Sequence, residues 1–132
     1  MRSKDTLLRL HRFHVEEKRR QVGDIEMMMA DFRRKQDDLD QQIAYEEQKT
    51  GVSDPSSFNY SMTAKSIRTR RENLLATIDD LQEQLDRAKE AVAEEESELR
   101  KVELLAEKDA SHRSEIKVIG RPADTGTGRS KH

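Results

Sequence analysis

LRLHRFHVEEKRRQVGDIEMMMADFRRKQDDLDQQIAYE, residues Leu8 to Glu46, is the stretch whose periodicity decides the fold. Counting three and then four residues from Leu8 gives Leu8, His11, Val15, Lys18, Val22, Ile25, Met29, Phe32, Gln36, Leu39, Ile43 and Glu46, eight of twelve apolar. That is the a/d signature of a heptad repeat. An echo runs through Ile67, Arg71, Leu74, Ile78, Leu81, Leu85, Ala88, Val92, Glu95, Leu99, Val102 and Ala106, ten of twelve apolar. A long helix with one narrow apolar seam cannot hide it alone in water, so the two seams must find partners.

The rest of the chain agrees. Of 132 residues, 39% are charged and 33% hydrophobic, with few aromatics and no Trp. Globular domains are nearer half apolar and one-quarter charged, so no thick core is available, yet the periodicity is too regular for disorder. The expected fold is all-α: two long helices in an antiparallel coiled-coil hairpin. Ser3 is a reasonable N-cap for a first helix over about 4–48. The breaker run Thr50-Gly-Val-Ser-Asp-Pro-Ser-Ser57 bends the chain over about 49–61, with Gly51 suited to a left-handed C-terminal cap. Ser61 or Thr63 opens a second helix over about 62–110, and residues 1–113 form the hairpin. Gly120, Pro122, Gly126 and Gly128 mark residues 114–132 as a flexible tail. Ile116 to Ile119 has strand propensity but no partner strand, and is expected to carry no structure.

Charge suggests a register. Residues flanking the seams pair as Arg12–Glu103, Arg19–Glu96 and Glu26–Lys89, with the sign switching on both helices together. The core layers then set Val15 opposite Val102, Ile25 opposite Val92, Met29 opposite Ala88, Phe32 opposite Leu85 and Ile43 opposite Leu74. Glu46 then faces Arg71, and Lys18 lies one layer from Glu95. A slip of one heptad, which sets Arg19 against Lys89, is the second choice.

Several chemistries find no footing. The net charge of −2 creates no field for nucleic acid or anionic lipid, and no groove-reading motif is present. There is no cysteine, hence no disulfide framework or thiolate chemistry, and no apolar run long enough to span a bilayer. The N-terminus lacks an apolar signal core, so a soluble, non-secreted protein is expected. No glycine-rich phosphate loop exists. His11 and His14 form an i,i+3 pair with Glu17 a turn later, but with no further ligand cluster converging, a seam histidine beside a solvated one is the better reading. Glu94, Glu95 and Glu96 sit on an open helix with no cleft to perturb them. No catalytic, metal or cofactor site is expected, and the chain reads as a non-enzyme.

The informative residues lie off the seam. Leu7, Leu10 and Phe13 in the first helix, and Leu104 and Leu105 in the second, fall at g, c and f positions that a hairpin leaves outside. An antiparallel arrangement gathers them beside the termini, where five exposed apolar residues make an interaction surface. Basic residues surround them. Arg12 and Arg19 answer the glutamates of the second helix, whereas Arg2, Lys4, Arg9 and Arg20 point elsewhere, where a partner site and a merely solvated face are equally good readings. Tyr45, Phe58 and Tyr60 gather near the bend, where local packing and a second docking site are equally good explanations.

Leu8-Arg-Leu-His-Arg-Phe-His-Val-Glu-Glu-Lys-Arg-Arg20, Asp24-Ile-Glu-Met27, the bend Thr50-Gly-Val-Ser-Asp-Pro55, Arg70-Arg-Glu-Asn-Leu-Leu75 and Lys101-Val-Glu-Leu-Leu105 resemble the FliJ family of flagellar type III export proteins, in its alphaproteobacterial form. The resemblance covers about residues 1–110; the Gly/Thr/Arg tail has no counterpart in it. It implies a cytoplasmic protein of bacterial flagellum biogenesis and motility, peripherally associated with the inner-membrane export apparatus. Such a protein acts as a stalk in the export ATPase hexamer, promotes its assembly and activity, and contacts the membrane export gate. It also handles export chaperones or substrates in a chaperone-like way. By analogy with rotary stalks, Leu7, Arg9, Leu10, Phe13, Arg20, Leu104 and Leu105 would meet the ATPase, and Tyr45, Phe58 and Tyr60 the gate. The competing expectations are the stalk of a virulence-type secretion ATPase and a scaffold homodimerising in parallel through the same seams.

Overall fold

The computed structural model describes the backbone of residues 2–120 and the side chains of residues 3–112. Two helices account for nearly all of it: α1, Arg2–Thr50, and α2, Met62–Gly120. The chain is all-α, with two long helices packed against each other and no strand among the described residues. All twelve seam positions of α1 and all twelve of α2 are buried or half-buried, so the heptad count picks out the packed face without a miss.

Residues 1–18 with 91–132 form one compact unit, and residues 19–90 a second. The second is a helical hairpin around the bend. Its core is Met29, Ile78, Leu81 and Leu85, with Val22, Ile25, Phe32 and Leu74 packed against them. In the first unit, Lys4 pairs with Asp109 at 3.7 Å and Arg12 with Glu103 at 3.9 Å, so the two helical pieces run antiparallel.

These contacts correct the register. Met29 belongs with Leu81 and Ile78, not with Ala88, which is only half-buried and outside the cluster. Arg71 bonds Asp40 at 3.1 Å rather than Glu46, and Glu95 lies beside His14 at 3.8 Å. All three observations match the slip of one heptad. Exposed ion pairs contribute only about 0.3–0.5 kcal/mol each, while apolar burial contributes about 25 cal/mol for every Å². The slip gives Met29 a leucine in place of an alanine, and that gain outweighs the charge pattern. The expected Arg12–Glu103 pair is present in the first unit.

The ends also differ from expectation. α1 already includes Arg2 and Ser3, so Ser3 is not its cap. α2 runs ten residues past Ala110 and takes in Ile116 to Ile119 as helix. Nothing between Ser111 and Ile119 breaks a helix; Gly120 is the first residue that does, and a helix can outlast its apolar seam. The part of the expected flexible tail from residue 121 onward lies outside the described residues.

The bend is built as its sequence suggests. Gly51 takes φ 76°, and its N–H donates to the Glu47 carbonyl at 2.8 Å, an αL cap on α1. The Asp54 carboxylate accepts from the Ser56 N–H at 3.0 Å and from its hydroxyl at 2.8 Å. Those bonds, the backbone one foremost, hold its pKa below the usual aspartate value. Ser61 caps α2, its Oγ accepting from the Ala64 N–H at 3.1 Å. A Cβ at Gly51 would meet nothing within 4 Å, so Gly51→Ala tests backbone strain alone. It is expected to cost about 1 kcal/mol, read as a lower urea midpoint at unchanged slope.

Candidate functional site

The g, c and f positions of a two-helix pair face away from the seam, so an apolar residue there has nothing within the chain to cover it. In the first unit Leu7, Leu10, Phe13, Leu104 and Leu105 are exposed by 41%, 47%, 59%, 64% and 55%, against 2% for Val15 and 8% for Val102 on the seam. Leu104 and Leu105 line a shallow depression of about 670 Å³ on α2, edged by Lys101, Glu107, Lys108 and Ser111. Leu105 also borders a second hollow that reaches Lys4 on α1. The five apolar residues expected to form a surface therefore lie exposed in one unit, and lysines edge the hollows at Leu104 and Leu105. That combination of apolar centre and charged edge suits a protein partner.

The basic residues divide. Lys4 and Arg12 are engaged with Asp109 and Glu103. Arg9 is exposed in the same unit as the apolar set. Arg20 is exposed too, but belongs to the second unit, so the structure does not join it to the others.

The aromatic trio at the bend is broken up. Phe58 is fully exposed, and Tyr45 is exposed with the Lys49 ammonium 5.4 Å from its ring centre. Tyr60, by contrast, is 7% exposed and belongs to the interior of the bend. Its hydroxyl donates to Glu47 Oε2 at 2.6 Å and accepts from Arg68 Nε at 2.7 Å. Arg68 Nη2 closes the triangle on Glu47 Oε2 at 3.0 Å. The Tyr60 hydroxyl first, and then Arg68, hold the Glu47 carboxyl below the usual glutamate range. Tyr60 is thus a structural member of the loop, with little surface left to offer a partner. The sequence reading passed over Met62, 78% exposed at the start of α2. Its place between the breaker run and the first seam residue, Ile67, was the available signal.

His11, His14 and Glu95 offer ligand atoms that all lie within 4.8 Å of one another. The expectation that no third ligand converges on the histidines is overturned. Glu17 does not join them; the slipped register brings Glu95 from the other helix.

The fold is an all-helical pair of packed seams that leaves Leu7, Leu10, Phe13, Leu104 and Leu105 uncovered in the first unit. Comparison with family models, curated proteins and solved structures finds no match for the chain. Among the described residues no helix is long and apolar enough to cross a membrane.

Proposed function

We propose that this chain is a non-catalytic component of a flagellar type III export apparatus, a stalk that enters the export ATPase ring and promotes its assembly and activity. The reading rests on the sequence resemblance together with one observation: both seams are closed within the chain while five apolar side chains beside them stay open. A scaffold that homodimerised through its seams would need them uncovered, and they are not. The apolar surface of the first unit meets the ATPase. The bend, through Tyr45 and Phe58 without Tyr60, meets the membrane export gate. Export chaperones or substrates are further partners, and the protein works at the cytoplasmic face of the inner membrane.

Arg9→Ala, Phe13→Ala and Leu105→Ala combined test the ATPase contact. Truncating an interface anchor costs about 2 kcal/mol or more, so the triple variant is expected to bind the isolated ATPase ring at least about a hundredfold more weakly. All three residues are exposed, so helical content stays that of the parent chain. Unchanged ring binding refutes the assignment of this surface.

A further inference from the structure

The first unit holds a cluster that the docking surface does not use. His11 and His14 stand one turn apart on α1, ring centres 6.2 Å apart and edge to face. Glu95 approaches from α2, its Oε1 3.8 Å from His14 Nδ1. All three residues are half-buried, and their nearest ligand atoms fall within 4.8 Å of one another. His11 Nδ1 is buried and has no hydrogen-bond partner. A buried imidazole nitrogen with no partner is uncommon, because such groups are usually satisfied. The same imidazole offers a ligand atom within 4.8 Å of a carboxylate oxygen and of a second imidazole nitrogen, from which an ion could draw ligands.

We propose that His11, His14 and Glu95 bind a first-row transition-metal dication, Zn2+ in particular, that ties α1 to α2 in the first unit. Two imidazoles and one carboxylate are a recurrent donor set for zinc with a fourth position left to water. Calcium and magnesium prefer more oxygen ligands than this site offers. Bonds of 2.0–2.2 Å in a tetrahedron set ligand atoms about 3.3 Å apart. The His14–Glu95 separation of 3.8 Å is half an ångström wide of that. Small side-chain rotations close the rest, since His14 and Glu95 are 43% and 28% exposed and free to turn. The ligands come from both helices, so the ion would act as a cross-link that neither helix could hold alone.

The site is tested on the full chain, stripped with a chelator and titrated with Zn2+ by calorimetry and with Co2+ by visible absorption. One ion per chain is expected, with the intense Co2+ bands of four-coordinate geometry and a thermal midpoint that rises with added Zn2+. His14→Gln and Glu95→Gln each weaken binding by about tenfold or more, and the pair abolishes the thermal shift. The chain has two histidines beyond this cluster, His112 and His132, and His112→Ala leaves stoichiometry and affinity unchanged. Absence of saturable binding overturns the proposal. So does binding that survives in the doubly substituted chain, or that disappears with His112→Ala. Helical content without metal separates a lost ligand from a lost fold.

Discussion

Met29→Ala is expected to destabilise the chain by about 3 kcal/mol, while Met27→Ala two residues away changes it by less than about 0.5 kcal/mol. The two methionines are chemically identical and sit in one run of three. Only their angle about the helix differs. Met29 is 2% exposed and packs in the cluster with Ile78, Leu81 and Leu85; Met27 is 70% exposed. Truncating Met29 removes its burial and leaves a void that two rigid helices close poorly, so both the transfer and the cavity contributions are felt. Met28, 46% exposed and flanking the seam, falls between them. Urea midpoints for the three alanine variants are expected in the order Met29, Met28, Met27, lowest first. Equal midpoints for Met27 and Met29 would dissolve the seam itself. A Leu81→Ala loss much smaller than that of Ala88→Gly would return the register to the charge-based alternative.

Heptad spacing made the buried face fully legible because helical geometry alone decides which residues share a stripe. Gly51 was legible for a similar reason, since its role follows from a local backbone requirement, while the cap of α2 was narrowed only to Ser61 or Thr63. The register was not legible. A slip of one heptad keeps every seam residue on its stripe, so periodicity is blind to it. The choice falls to the volume each layer can fill, and that depends on two helices at once. Charge pairing gave Arg12–Glu103, which the first unit has, but it did not fix the layers around Met29, because ion pairs at half-exposed positions are weak beside apolar burial. The failure to see three ligands converge follows directly. Exposure of Leu7, Leu10, Phe13, Leu104 and Leu105 was readable from heptad position, whereas the burial of Tyr60 was not. Nothing in the order of the bend residues says that a tyrosine there will turn inward to a carboxylate thirteen positions earlier.

That tyrosine sets the second large effect. Tyr60→Ala is expected to cost about 3 kcal/mol, since it removes a buried ring as well as its hydroxyl. Tyr60→Phe keeps the ring and removes only the hydroxyl, and its smaller cost carries a pH signature. The Tyr60 hydroxyl is the largest of the contacts that lower the Glu47 pKa from its ordinary 4.5. A carboxyl with a depressed folded pKa contributes stability that is present above the unfolded value and is lost as pH falls through the folded one. In the parent chain that loss therefore begins below about 4.5 and continues on the acid side. Tyr60→Phe raises the Glu47 pKa toward its ordinary value, so the variant has less of this stability to lose. The difference in unfolding free energy between the two chains is expected to be constant near neutrality and to shrink steadily below about pH 4. Asp54, also depressed, titrates alike in both chains and drops out of the difference. Arg68, raised further above its already high range, stays charged throughout and adds nothing to the slope. Matched urea melts at neutral and acid pH measure the difference. A gap that holds its neutral value to about pH 3 would mean that the hydroxyl acts through packing alone, and that the Tyr60–Glu47–Arg68 triangle does not hold the bend electrostatically.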